Sequence, residues 1–337
     1  METITKTPIV PLITLKRSHV PPDTVRAGSS SLLRGMRTRL LFLSIAGLLQ
    51  IHAGCCQQQE CRVALNDPTY AKCAYWGNAL ENSGRPIINF GDSIGLGGTC
   101  LITSGGEPIR CGYIEELEQR LGGTGIANFS RAAHTAVGEV DSGFSIVGES
   151  RIVNPDAKRV YVHIGINDLR NYMEQDCSRF PLAFDPNTRT CRWASEEMRI
   201  AFFEQLETVT WNVRAIVREY QRLGIREVVV GSFHPVEQNG NYFASCRNTV
   251  CPGTDNFLCL NELIESFSIE LEDMVTSLGG PNAGVYFADH FHGFPATDPG
   301  SCGITCDCAH LNCYGHEVMA QTWYEALPSV PDRNPSS

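Results

Sequence analysis

The clearest pattern along the chain is a series of short apolar runs, each closed by glycine or small polar residues, separated by longer stretches of helical spacing. Ile87-Ile88-Asn89-Phe90 leads into Gly91-Asp92-Ser93-Ile94-Gly95, which reads as a buried strand entering a tight turn. Residues 125–130 form a second run, and residues 158–165 a third in which Val160, Val162 and Ile164 alternate. The valine-rich residues 227–231 are a fourth and residues 284–288 a fifth. Between the first two, Tyr113 to Leu121 places Ile114, Leu117 and Leu121 on one helical face, closed by Gly122. A long helix capped by Ser195 carries Phe202, Leu206, Val209, Val213, Ile216 and Tyr220 at helical spacing and stops at Gly224. Two more helices are predicted over 261–278 and 313–327. Strands that alternate with helices imply an α/β fold in three layers, with a parallel sheet covered on both faces.

Three long connections, 171–194, 233–260 and 290–312, all follow strands and so belong at the carboxyl edge of the sheet, beside Ser93. They hold Cys177 and Cys191, then Cys246, Cys251 and Cys259, then Cys302, Cys306 and Cys308, with Cys313 next. Cross-linked loops there would form a rigid rim around a site.

Charge and cysteine usage narrow the function classes. The chain has 337 residues with formal charge -10, and the first 53 carry seven Lys/Arg against two acids, leaving 20 against 35 in the rest. A surface that acidic repels phosphate backbones, which argues against a nucleic-acid partner. From Met36, Arg37 and Arg39 precede an apolar run from Leu40 to Ile51, too short to span a bilayer but suited to the core of a secretory signal. Residues 1–54 are therefore expected to be a leader with its signal starting at Met36, residues 1–35 being outside the translated protein. Ala53 and Gly54 precede Cys55, either at a signal-peptidase site or with Cys55 as the lipid-accepting residue of an envelope lipoprotein. Fifteen cysteines in an exported chain point to disulfides, with one left over. Residues 55–84 read as a cysteine-containing extension, with Cys56, Cys61 and Cys73, of the domain at 85–330.

The candidate chemistry is nucleophilic. A serine on a tight turn at the end of a strand has its hydroxyl held at the crevice where parallel sheets bind ligands. It needs a base, and the base needs an orienting group. Asp307-Cys308-Ala309-His310 supplies a carboxylate and an imidazole three apart, so that Asp307 fixes the tautomer and His310 takes the proton of Ser93. Oxyanion donors are the Ser93 N–H, the side-chain amide of Asn167 in Gly165-Ile166-Asn167-Asp168, and Ala133 after the second strand. Taken singly, each of these pieces is also what an ordinary turn looks like.

Taken together and in order, GDSI, the turn after the second strand, GIND and DCAH resemble the SGNH (GDSL) hydrolase family over residues 85–327. The resemblance implies a three-layer α/β/α sandwich on a five-stranded parallel sheet of flavodoxin-like order. It implies Ser93 as nucleophile, His310 as base, Asp307 as its partner, and Ser93 N–H and Asn167 in the oxyanion hole. In Asn128-Phe129-Ser130-Arg131-Ala132-Ala133-His134, Ala133 stands where the family usually has glycine. Gly91 to Gly95 also fits the G-x-S-x-G elbow of α/β-hydrolases, but that fold builds several strands before its elbow. The expected activity is hydrolysis of short-chain, lipid or carbohydrate-linked acyl esters without a cofactor or catalytic metal, by a secreted or envelope-attached protein.

Rival readings are a non-catalytic binding module on the same fold and a metal site. The second would draw on Cys302, Cys306, Cys308, His310 and Cys313, with Asp289, His290 and His292 nearby; export favours disulfides. His163 reads as a hydrogen-bonded core residue, His134 and His234 as loop or rim residues within reach of substrate, and Phe202, Phe203 and Trp211 as core.

Overall fold

The computed structural model describes residues 82–95, 101–102, 108–109, 112–174, 182–185, 187–188, 190–236, 256–294, 311 and 313–327. The main sheet contains β1 (Ile87–Gly91), β4 (Ile126–Asn128), β5 (Arg159–His163), β8 (Glu227–Gly231) and β9 (Val285–Ala288), all parallel, in the order β4-β1-β5-β8-β9. Two small antiparallel pairs accompany it: β2 (Leu101–Ile102) with β3 (Pro108–Ile109), and β6 (Leu182–Asp185) with β7 (Thr190–Trp193). Counting the main strands alone, the order is 2-1-3-4-5, that of the flavodoxin-like doubly wound sheet, which reverses direction of winding between β1 and β5.

The strands are apolar on both sides because both sides are covered. Side chains of successive strand residues point to opposite faces, and the core divides accordingly. Ile88, Phe90, Val160, Val162, Val228 and Val230 belong to one buried cluster, and Ile87, Tyr161, Val229 and Ala288 to another. The first cluster is filled by α2 (Ala136–Asp141), α3 (Ser145–Val153), α4 (Ile166–Glu174), α5 (Glu196–Arg222) and α6 (Asn256–Ser277). The second is filled by α1 (Tyr113–Arg120) and α8 (Cys313–Glu325), with a short turn of helix, α7 (His290–Gly293), beside α8.

The long helix forms as its sequence dictates. Ser195 Oγ accepts the Met198 N–H at 3.2 Å, and the chain leaves through Gly224 in the left-handed region. Its buried face is Phe202, Leu206, Val209, Val213, Ile216, Val217 and Tyr220. Trp211 is not core: at 100° per residue it lies about 200° around the helix from Val209, and it is 63% exposed. Phe203 is also partly exposed and rests on Trp193, ring centroids 5.6 Å apart. On α1, Tyr113 and Leu117 are buried, while Ile114 and Leu121 are half-buried.

The connection after β5 is not a plain loop. It opens as α4 and later folds into the β6–β7 hairpin, where Asp185 Oδ1 accepts the Asn187 N–H at 2.9 Å and tightens the turn. Cys191 therefore lies on a strand, and Cys259 lies in α6, which starts at Asn256. The two are joined by a disulfide, Cα–Cα 5.5 Å, that pins the hairpin to α6. The other cysteines, Cys313's side chain among them, lie outside the described residues, as do the leader, Cys55 and residues 55–81. Among the described residues no helix is long and apolar enough to cross a membrane.

His234 lies on the loop after β8 but is fully buried, its ring stacked on Phe233 at 4.5 Å, and His290 is fully buried with its ring 4.6 Å from Trp323. Burial, and after it the neighbouring His163 and His234, hold the His290 imidazole well below its ordinary value of 6.5. In the unfolded chain this ring takes a proton near 6.5, whereas in the folded chain it does so only well below. Between those two points the unfolded state binds the extra proton, so stability falls as pH falls, by up to about 1.4 kcal/mol per pH unit. Denaturant unfolding of wild type and His290→Phe on either side of that value should show a smaller acid loss in the variant. Equal losses would show that His290 contributes nothing to acid sensitivity.

Candidate active site

Ser93 sits where the winding of the sheet reverses, one turn beyond the carboxyl end of β1 and beside the end of β5, which is where open α/β sheets leave a crevice. The turn that carries it is held from several sides. Asp92, fully buried, accepts the Ile94 N–H through Oδ1 at 3.0 Å, an Asx turn that arches the backbone over the serine. Asn128 Nδ2 donates to the Gly95 carbonyl at 2.9 Å, and Asn89 Nδ2 donates to Ser130 Oγ at 2.8 Å. Tyr113 closes the network by donating to Asn89 Oδ1 at 2.7 Å; burial pushes its hydroxyl far up, so it stays a donor. Gly91 and Gly95 bracket Ser93 for reasons of space. A Cβ on Gly91 would lie 2.6 Å from the His163 carbonyl oxygen, and one on Gly95 would collide with Ser130 Oγ. Ser93 itself is half-buried.

His163, the last residue of β5, is buried beneath this turn, with Nδ1 3.8 Å from Asp92 Oδ1 and its ring stacked on Phe233. It is a core residue, as its strand position implies.

The loop between β4 and α2 wraps against the nucleophile turn. Arg131 N–H donates to the Gly91 carbonyl at 3.0 Å, and the His134 N–H returns to the Arg131 carbonyl at 3.2 Å, closing a four-residue turn. Ala133, the third residue of that turn, has φ +55°, the conformation in which glycine is favoured. Ala133 is exposed, and its N–H has no acceptor among the described residues. His134 lies on this loop, as one of its two expected placements had it, but its ring is turned inward, wedged between Gly91 and Glu139, 10% exposed, with Phe90 edge-on.

The Gly165-Ile166-Asn167-Asp168 block brings the third element to the same place. Gly165 has φ +116°, and a Cβ there would sit 2.6 Å from the Phe267 ring, so only glycine lets the chain pivot from β5 into α4. Asn167 in the first turn of α4 donates through Nδ2 to the His134 carbonyl at 3.0 Å, which leaves its second amide hydrogen for another acceptor. The buried carboxylate of Asp168 accepts the N–H groups of Ala136 at 2.8 Å and Val137 at 3.0 Å, capping α2 from across the site. Desolvation holds the Asp168 carboxyl above its ordinary value, and the backbone donors and His134 offset this only in part.

Ser93, Ala133 and Asn167 are thus on three segments bonded to one another at the carboxyl edge. Asp307 and His310 lie outside the described residues. Leu311, which follows His310, is fully buried in the same apolar cluster as Ile94, which follows Ser93. Among the described residues no group of three or more His, Cys, Asp or Glu side chains could hold a metal ion. Asp289 and His292 instead pair with each other, Oδ2 to Nδ1 2.7 Å.

Residues 87–323 match the family model for GDSL-like lipase/acylhydrolase. The chain belongs to this family. It is a GDSL hydrolase, a serine ester hydrolase on a five-stranded parallel α/β fold, and the α/β-hydrolase elbow is set aside because the serine follows the first strand of a 2-1-3-4-5 sheet. Solved structures of similar course include a lipase from a goat rumen metagenome, with 13% identity over 71% of this chain and 96% of that one, TM-score 0.45. A catalytic mutant of an acetylxylan esterase from Geobacillus stearothermophilus has 15% identity over 72% of this chain and 94% of that one, TM-score 0.44. A member of the lipolytic GDSL family from Veillonella parvula has 14% identity over 72% and 97%, TM-score 0.42. Among curated proteins none matches this GDSL hydrolase by sequence.

Two features of the site were not read from sequence: the ring of His134 between two acceptors, and the cap that Asp168 places on α2. Both depend on groups 31 or more positions apart meeting across the sheet edge. The adjacency of Asp168 to Asn167 was the one available signal.

Proposed function

We propose that this GDSL hydrolase is an exported esterase in which Ser93 attacks the carbonyl of short-chain or carbohydrate-linked acyl esters. His310 takes the serine proton, and Asp307 orients its ring. The tetrahedral oxyanion is received by the N–H groups of Ser93 and Ala133 and by the second Nδ2 hydrogen of Asn167. Collapse expels the alcohol with the proton from His310 and leaves an acyl-enzyme. Water, deprotonated by the same imidazole, then releases the acid.

The observation that carries this reading is the meeting of the Ser93 turn, the Ala133 N–H, without an acceptor among the described residues, and the Asn167 amide at one edge of the sheet. The burial of Leu311 and Ile94 in one cluster supports the approach of His310 from the far end of the chain. Export is supported by the basic start and apolar run after Met36, and Cys55 is the proposed point of lipid attachment in an envelope-bound form. Aryl esters from acetyl to palmitoyl, assayed beside acetylated oligosaccharides, test the substrate class. The proposal expects kcat/KM to be highest for the shortest acyl groups or for the acetylated sugar; a steady rise toward palmitoyl would overturn it.

A further inference from the structure

The loop that offers the Ala133 N–H is fastened to the nucleophile segment by the Arg131 N–H, by Ser130 and by the ring of His134, and that ring faces two hydrogen-bond acceptors. His134 Nδ1 lies 3.2 Å from the Gly91 carbonyl oxygen, two residues before Ser93. A carbonyl only accepts, so Nδ1 carries hydrogen. Nε2 lies 3.2 Å from Glu139 Oε2. The other oxygen of Glu139 accepts the N–H groups of Ile146 and Val147, both at 2.9 Å, at the start of α3. The ring therefore ties the Gly91 carbonyl to a side chain that is itself anchored on the first turn of α3.

The ring is enclosed on two sides: on α2 it meets Glu139, 1% exposed, and on β1 it meets the edge of Phe90 and the Gly91 carbonyl.

We propose that His134, bridging the Gly91 carbonyl and the Glu139 side chain, is a positioning residue that clamps the Ala133 donor to the Ser93 turn. The inference rests on the assignment of Ser93 and Ala133 given above. The clamp acts through the donor it orients, so its contribution appears in the transition state and not in ground-state binding. Without the ring the loop would keep only the Arg131 N–H and Ser130 as bonds to the nucleophile segment, and the Ala133 N–H would no longer be held in place.

His134→Phe is the discriminating variant, because it keeps a ring beside Phe90 and bonds neither acceptor. The expected result is a drop in kcat of about tenfold with KM little changed, since displaced catalytic donors cost up to about 100-fold. His134→Asn, whose amide can still donate to the Gly91 carbonyl, should recover part of the loss. Wild-type kcat in a folded His134→Phe, or in His134→Asn a rise in KM with kcat unchanged, would overturn the clamp. Ser93→Ala is run beside them. If it still hydrolyses ester, the nucleophile assignment itself fails, whereas a dead Ser93→Ala with unaltered His134→Phe removes the clamp alone.

Discussion

Ser93→Ala is expected to lower ester hydrolysis by about four orders of magnitude or more while leaving the unfolding temperature nearly unchanged. The size follows from what is lost. Without the hydroxyl no acyl-enzyme forms, and the donors at Ala133 and Asn167 then act only on direct attack by water, which elsewhere preserves a small residual rate. Stability should hold because Ser93 is half-buried on a turn whose shape is set by its neighbours, by Asp92 receiving Ile94 and by Asn128 holding Gly95. Single-turnover rates on an aryl acetate together with thermal unfolding check both halves. A variant that loses activity and stability together would mean that the serine supports the fold and not the reaction.

Gly165→Ala is expected to act in the opposite sense, on the fold. At φ +116° an alanine is in a conformation that L side chains rarely adopt, a cost of about 1–2 kcal/mol. Its methyl would also meet Phe267 at 2.6 Å and Val209 at 3.1 Å inside the larger core cluster, adding about 1–3 kcal/mol of overpacking. Against a typical stability of about 5–15 kcal/mol, a loss near 3 kcal/mol should lower the unfolding temperature by roughly 10 °C. Calorimetry of the variant gives this directly. An unchanged transition would show that the pivot between β5 and α4 is looser than the contacts around Gly165 imply.

The parts of the fold that are legible in the sequence are those whose information is local. Val160 and Val162 announce β5 because a covered strand needs apolar residues on both faces, and Phe202 to Tyr220 announce α5 because a face spaced at 3.6 residues needs a core to meet. Ser195 and Gly224 mark its ends for equally local reasons. The blocks at Ser93, Ala133 and Asn167 could be ordered along the sheet edge because each follows a strand. The left-handed backbone at Ala133 gives the physical reason why glycine suits that place.

What escaped sequence reading depends on distant partners. The six-residue α2 is too short to declare itself, and it is capped by Asp168 from α4 as well as by its own Thr135. Trp211 has the composition of a core residue and the angular position of a surface one, and only the second decides its exposure. The hairpin containing Cys191 and the early start of α6 at Asn256 are tied to each other by the disulfide to Cys259, a link between segments 68 residues apart. His134 and His234 read as loop or rim residues and both do lie on loops, yet the ring of one is held by Glu139 and that of the other is buried against Phe233.

The central claim is that Ser93 becomes acylated with the help of His310. Its most direct measurement is peptide mapping by mass spectrometry after treatment with an alkyl fluorophosphonate, which forms a stable bond only with an activated serine. The account predicts one adduct, on Ser93, absent from Ser93→Ala and formed far more slowly in His310→Ala. An adduct on another residue, or full hydrolytic activity in a protein whose Ser93 stays unlabelled, would contradict it.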